Sequence, residues 1–276
     1  TNMQNYYQPE IETMRYEHLR ALQNERLLKQ VRHVWDNVPY YRQKMEAKGV
    51  TIDDIQSLDD LHKLPFLKKD DLREAYPYGL MGKSKSECVR IHSTSGTTGK
   101  RVVAFYTQHD VDLWEDCCAR AIAAVGGGNE DVCQVAYGYG LFTGGLGAHY
   151  GAEKLGAMVV PMSTGNSKKL TTMMMDFGAT AIACTPSYLL HISEVLAEEG
   201  VLDKIKLKSA ICGAEPWTEN MRKELESKLH IKAYDIYGLT EVSGPGVGGE
   251  CEYQDGTHLW EDMFFPESID PDTLEP

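Results

Sequence analysis

The chain has 276 residues, enough for one large domain or two modest ones with an ample core, and its 42% hydrophobic and 25% charged content is that of an ordinary globular protein. No run of about 18 apolar residues occurs, so no membrane-spanning helix is expected. A net charge of −13 argues against nucleic acid or an anionic membrane as the partner, but not against a nucleotide held by a few local donors.

The first residues lack the basic start and apolar core of a signal peptide. The seven cysteines, an odd number, form no C-x-x-C pair and read as reduced thiols. The cytoplasm is the expected location. Leu22, Leu27, Val31, Val34, Trp35 and Val38 follow helical spacing up to Pro39. A second short helix through "YYRQKMEAK" closes at Gly49, and two helical turns flank Pro65. A helical N-terminal lobe is expected over residues 1–65. The rest, 66–276, is expected to be one α/β domain.

From residue 86 strands and helices alternate. "CVRIH" and "RVVAFY" read as strands, and "TQHDVDLWEDCCARAIAAVG" as a helix. The strands "DVCQVAYG", "AMVVPM", "ATAIACTP", "KLKSAICG" and "IKAYDIYG" then alternate with four helical segments. That order predicts an α/β fold, a parallel-rich sheet covered by helices, with ligands at the carboxyl ends of the strands.

Three polar or glycine-rich patches lie at strand ends. The first, Ser93, Thr94, Ser95, Gly96, Thr97, Thr98, Gly99 and Lys100, joins two strands. A Walker A loop needs four residues between its glycines and a helix after its lysine. Here two residues separate Gly96 from Gly99 and a strand follows, so that reading fails. Glycines that free backbone N–H groups, together with hydroxyls and an ammonium, suit an anion; a mobile polar hairpin is the alternative. The second patch, Gly213, Ala214, Glu215 and Pro216, leaves room for a flat ring against the backbone. The third follows Asp235, Ile236, Tyr237 and Gly238 and carries Thr240 and Glu241. A carboxylate at a strand end suits Mg2+ on a triphosphate, and a solvated turn glutamate is the alternative.

Taken in order, S-T-S-G-T-T-G-K, G-A-E-P and Y-G-L-T-E resemble the adenylate-forming acyl-CoA synthetase superfamily. "VRHVWDNVPYYRQKMEAKGV", "LPFLKKDDLR" and "DIYGLTEVSGPGVGGEC" narrow the resemblance to its phenylacetate–CoA ligase family. The resemblance implies a ligase that uses ATP, Mg2+ and coenzyme A to convert an aryl acid into its CoA thioester. It implies phosphate binding by Ser93 to Lys100 and adenine flanked by Gly213, Ala214, Glu215 and Pro216, with Asp235, Ile236, Tyr237 and Gly238 alongside. It also implies an α-phosphate contact from Thr240 and a magnesium ligand in Glu241. The alternatives are an adenylating enzyme that loads a carrier protein and a non-catalytic nucleotide-binding fragment. The family pattern continues past residue 276 into a small C-terminal domain, and "PESIDPDTLEP" reads as a chain cut inside a hairpin.

Tyr137, Tyr139, Phe142 and Gly144 combine aromatic walls with small-residue gaps, as a flat aryl acid requires. Cys251 and His258 form half of a candidate structural zinc site, with a buried cysteine and a surface histidine as the alternative. The expected partners are small molecules alone, and the expected assembly is a homodimer.

Overall fold

The computed structural model describes residues 5–96 and 99–276. Its elements, in chain order, begin with helices α1 (Pro9–Glu12), α2 (Tyr16–Asn37), α3 (Pro39–Ala47) and α4 (Lys69–Glu74), then strands β1 (Cys88–Ser93) and β2 (Val103–Thr107). There follow α5 (Gln108–Ala124), β3 (Val132–Val135), α6 (Thr143–Lys154), β4 (Met158–Pro161), α7 (Ser167–Asp176) and β5 (Ala181–Cys184). The chain continues through α8 (Pro186–Glu198), β6 (Ser209–Cys212), α9 (Glu219–Leu229), β7 (Lys232–Leu239), β8 (Gly244–Gly249) and β9 (His258–Leu259). Two compact units result, one built on Asp110–His258 and the other on Pro9–His109 with Leu259–Pro276.

The first unit carries the sheet, in the order β4-β3-β5-β6-β7-β8-β9. Strands β4 to β7 are mutually parallel and β8 returns antiparallel to β7. The α/β expectation is borne out. Alternation along the strands fills two cores, since successive side chains point to opposite faces. Ile182 and Cys184 pack with Leu170 of α7, Leu189 of α8 and Leu225 of α9. Ala181 and Ala183 pack instead with Ile122 of α5 and Ala148 of α6. The chain leaves β3 for β4 on one side and returns to β5 on the other. That reversal opens a crevice at the carboxyl ends of β3 and β5.

Strand β8 is absent from the sequence reading, because "GPGVGG" has the composition of a loop. Packing explains it. A Cβ on Gly246 would come within 2.9 Å of Cys118 Sγ and 3.0 Å of its backbone nitrogen, so α5 lies directly on the strand. Trp114 Nε1 donates to the Pro245 carbonyl at 2.8 Å, fixing the same contact.

In the second unit, Val31 of α2 and Met45 of α3 are buried with Val50 and Ile55, and Trp35 and Leu64 pack around them. Pro39, read as a helix stop, opens α3 at its first turn, where its missing N–H costs nothing. The late segment is tied to α2 through Arg26, which donates to the Asp262 carbonyl at 2.6 Å, and Gln23, which donates to the Glu261 carbonyl at 2.9 Å. Strands β1 and β2 form an antiparallel pair in which Ser93 faces Val103.

Candidate functional site

The polar loop of residues 93–100 does join two strands. Thr94 N donates to Val102 O at 3.0 Å, and Val102 N donates to Thr94 Oγ1 at 3.1 Å, so Thr94 extends the hairpin. Arg101 donates to the Thr94 carbonyl at 2.8 Å. Gly96 and Gly99 take φ of +66° and +133°, which frees the turn from the usual L-residue geometry. Lys100 is exposed and has no partner among the described residues. Thr97 and Thr98 lie outside the described residues. His92, immediately before the loop, is buried edge-on against Tyr106 at 5.4 Å between ring centres.

The other predicted groups gather in the first unit. Gly213 follows β6 so close to β7 that a Cβ there would lie 2.5 Å from the Ile236 carbonyl. Ala214 follows in the left-handed region at φ +73°. Glu215 turns its carboxylate to accept the Ser187 amide at 2.6 Å, satisfying an exposed N–H in the first turn of α8. Thr185, the residue before that helix, accepts from Tyr188 N at 3.2 Å. The Glu215–Ser187 hydrogen bond therefore ties the loop after β6 to the start of α8.

Strand β7 carries Asp235, Ile236 and Tyr237 before Gly238, and Thr240 and Glu241 form the helical turn that follows. Trp217 Nε1 donates to Asp235 Oδ1 at 2.9 Å, and Asp235 Oδ2 has no partner among the described residues. Burial pushes the Asp235 carboxyl above its ordinary value, partly offset by that indole hydrogen bond. Thr240 is buried; Glu241 is half-buried, and its carboxylate has no partner among the described residues.

Tyr137, Gly144, Ile236 and Pro245 line an apolar cavity with Ala148 and Ala183, at the ends of β3, β5 and β7. Its volume is about 20 Å³, so a ring enters only when the lining opens. The Tyr137 hydroxyl is fully buried beside the Gly213 backbone without a well-formed hydrogen bond. Tyr139 and Phe142 do not line this cavity. Tyr139 pairs its hydroxyl with His149 Nδ1 at 3.1 Å, and His149 Nε2 meets Glu153 at 2.7 Å. The Phe142 ring, 40% exposed, lies over Gly144, where a Cβ would collide with it. Sequence reasoning missed Ala148, Ala183 and Pro245, which look like filler until the sheet brings them together. Cys251 is half-buried and His258 exposed. No group of three or more metal-ligating side chains occurs among the described residues.

A family model described as AMP-binding enzyme matches residues 28–262. The chain belongs to the AMP-binding enzyme family. The adenylate-forming resemblance read from the three motifs is borne out. Phenylacetate-coenzyme A ligase from Aromatoleum evansii is 51% identical over 267 residues, 96% of this chain and 61% of that protein. The Escherichia coli strain K12 enzyme of the same name is 50% identical, over 95% of this chain and 60% of its own length. The chain thus spans about 60% of the length of these relatives. Among solved structures, an open conformation of 2-hydroxyisobutyryl-CoA ligase with its acyl-AMP and CoA superimposes with TM-score 0.91 at 28% identity, covering 100% of this chain and 66% of that one. The same ligase in its thioester-forming state gives 0.93 at 29% identity, covering 100% and 60%. Among the described residues no helix is long and apolar enough to cross a membrane.

Proposed function

We propose that this AMP-binding family member activates an aryl acid of the phenylacetate class with ATP and passes the acyl group to coenzyme A. The observation that carries the reading is the division of labour along β7. Ile236 lines the apolar cavity, while its neighbours Asp235 and Tyr237 belong to the opposite face of an extended strand. On this reading one strand would separate an acyl compartment from a base compartment. Its end, where Thr240 and Glu241 lie, is where a carboxylate and an α-phosphate would meet.

In the first step a carboxylate oxygen of the acid bonds to the α-phosphorus, the bond to the bridging oxygen breaks, and pyrophosphate leaves. In the second the sulfur of coenzyme A bonds to the acyl carbon, the thiol proton is released, and AMP leaves. The obstacle is repulsion between two anions, which fixed donors reduce at the moment charge develops. Ser93 to Lys100 would hold the β- and γ-phosphates, and Thr240 the α-phosphate. Gly213 to Pro216 would flank adenine, with Asp235, Tyr237 and Gly238 beside it. Tyr137 and Gly144, with Phe142 and Tyr139 at the loop above them, would receive the aryl ring. Glu241 fits Mg2+, a cation that takes one or two carboxylates along with phosphate oxygens and supplies charge neutralisation when bound. Cys251 and His258 would contribute two ligands to a structural zinc, to be read by metal analysis of protein purified without chelator or His tag. The seven free thiols support a cytoplasmic setting.

The test is incubation of the full-length protein with ATP, Mg2+ and a panel of aryl acids, with and without coenzyme A. Acid-dependent pyrophosphate without CoA, and thioester plus AMP with it, is the expected result. Thioester and AMP formation with a carrier protein but not with CoA would move the acceptor. No acid-dependent pyrophosphate at all would end the ligase reading.

A further inference from the structure

Behind β7 lies a closed circuit of four side chains, two of which, Trp217 and Arg222, lie outside the motifs. Arg222, on α9, makes a bidentate pair with Glu250, donating from Nη1 to Oε2 at 2.7 Å and from Nη2 to Oε1 at 2.6 Å. Both partners are buried. The same Nη1 donates to the Ala233 carbonyl of β7 at 2.6 Å. Glu250 then clamps the next alternate residue of that strand from both sides. Its Oε2 accepts from Asp235 N at 2.8 Å, and its own N donates to the Asp235 carbonyl at 3.0 Å. The guanidinium lies 4.9 Å from the centre of the Trp217 ring, within cation–π range. Trp217 closes the circuit by donating from Nε1 to Asp235 Oδ1.

The geometry of the circuit fixes both the backbone and one carboxylate oxygen of Asp235. The second oxygen, Oδ2, is left without a partner among the described residues. An ionised carboxylate only accepts hydrogen bonds. A group held this way favours a purine that presents an amine and disfavours one that presents an oxo group in the same place. A tilt of the carboxylate would let it miss either. We infer that Trp217, held by the Arg222–Glu250 pair, is a positioning residue that sets the preference for a 6-amino over a 6-oxo purine nucleotide. This rests on the reading of Asp235 as a group beside the base.

Trp217→Phe is the informative change, since it keeps an aromatic ring for the Arg222 guanidinium while removing the N–H donor and part of the ring volume. Binding of ATP and of ITP to the full chain, measured calorimetrically, gives the ratio of their dissociation constants. In the wild type ATP is expected to bind about 10- to 100-fold tighter than ITP, the range of one hydrogen bond to a charged group. In Trp217→Phe that ratio should fall by about 10-fold, chiefly through weaker ATP binding. Glu250→Gln, which disturbs the clamp from the other side, should narrow the ratio as well and serves where Trp217→Phe fails to fold.

A pH series gives a readout that a merely structural tryptophan would not move. The titratable groups facing Asp235 are Arg222 on α9, Glu250 after β8 and Tyr137 at the end of β3. A protonated Asp235 donates, so ITP binding should strengthen as the pH falls through its titration. The indole hydrogen bond opposes the upward push of burial on this carboxyl. Its removal should move the ITP rise to higher pH. An unchanged ATP-to-ITP ratio and an unchanged pH midpoint in a folded Trp217→Phe protein would overturn the positioning role and leave the ligase reading intact. A wild-type chain that binds neither nucleotide would overturn both.

Discussion

At the residue scale, the exposed lysine of the hairpin and the buried arginine of the sheet unit make opposite predictions. Lys100 has no protein partner among the described residues, so its ammonium contributes nothing visible to the fold. Lys100→Ala should leave the melting temperature unchanged and raise the KM for ATP by about 10- to 100-fold, the loss of one charge-assisted contact. Unchanged adenylation kinetics would remove Lys100 from the phosphate grip. Arg222 is the reverse case. Arg222→Ala would strand the Glu250 carboxylate in the interior, at a cost of about 3–5 kcal/mol read from urea unfolding. A loss below about 1 kcal/mol, the level of an exposed pair, would mean that Glu250 finds water instead. Phe142→Ala lies between them, because the ring is part-exposed and rests on Gly144 beside the cavity. It should raise the KM for the aryl acid far more than that for ATP, and equal effects on both would take Phe142 out of acyl binding.

At the element scale, the α3–α4 contact gives a pH prediction whose sign can be worked out. Asp71 accepts from Lys44 Nζ at 2.7 Å, from the Lys68 amide at 2.7 Å and from the Tyr40 hydroxyl at 3.0 Å. The Lys44 hydrogen bond, then that of the Lys68 amide, hold its carboxyl at about 2, against an ordinary value of 3.8. A depressed carboxyl adds stability that is complete above the unfolded value and lost as the pH falls through the folded one. The contribution should therefore disappear between about pH 4 and pH 2, and Lys44→Met should flatten the unfolding free energy across that window. An identical acid limb in both proteins would show that the pair is inert. Elements also show where the sequence was readable. The βαβ alternation was legible because apolar strands and amphipathic helices have different periods. Strand β8 was not, because its glycines answer to the close approach of α5 and not to any strand preference. The same distinction applies to the site. The three motif patches are contiguous in sequence, whereas Trp217, Arg222, Glu250 and the alanines of the cavity meet only through the sheet.

At the scale of the whole molecule, the proposed base and acyl compartments both fall within the unit built on Asp110–His258. An acidic chain that binds an anionic nucleotide there has to do so with local donors, since a net charge of −13 gives no long-range attraction. That makes ligand-linked protection a sharper probe than bulk affinity. A non-hydrolysable aryl-adenylate mimic at about 100 times its dissociation constant should stabilise the chain by about 2.7 kcal/mol, because it binds the folded state alone. Amide exchange should slow in three separate stretches, residues 137–144, 213–217 and 235–241, and slow together as the mimic is titrated. The hydrogen-bonded link from Glu215 to the start of α8 should carry weaker protection into Ser187 and Tyr188. An ATP analogue lacking the aryl group should protect the second and third stretches and leave 137–144 exchanging as in the free protein. Should the aryl-adenylate mimic protect none of these, or should the nucleotide alone protect 137–144 fully, β7 would not be the boundary between acid and base, and the division of labour drawn along it would fall.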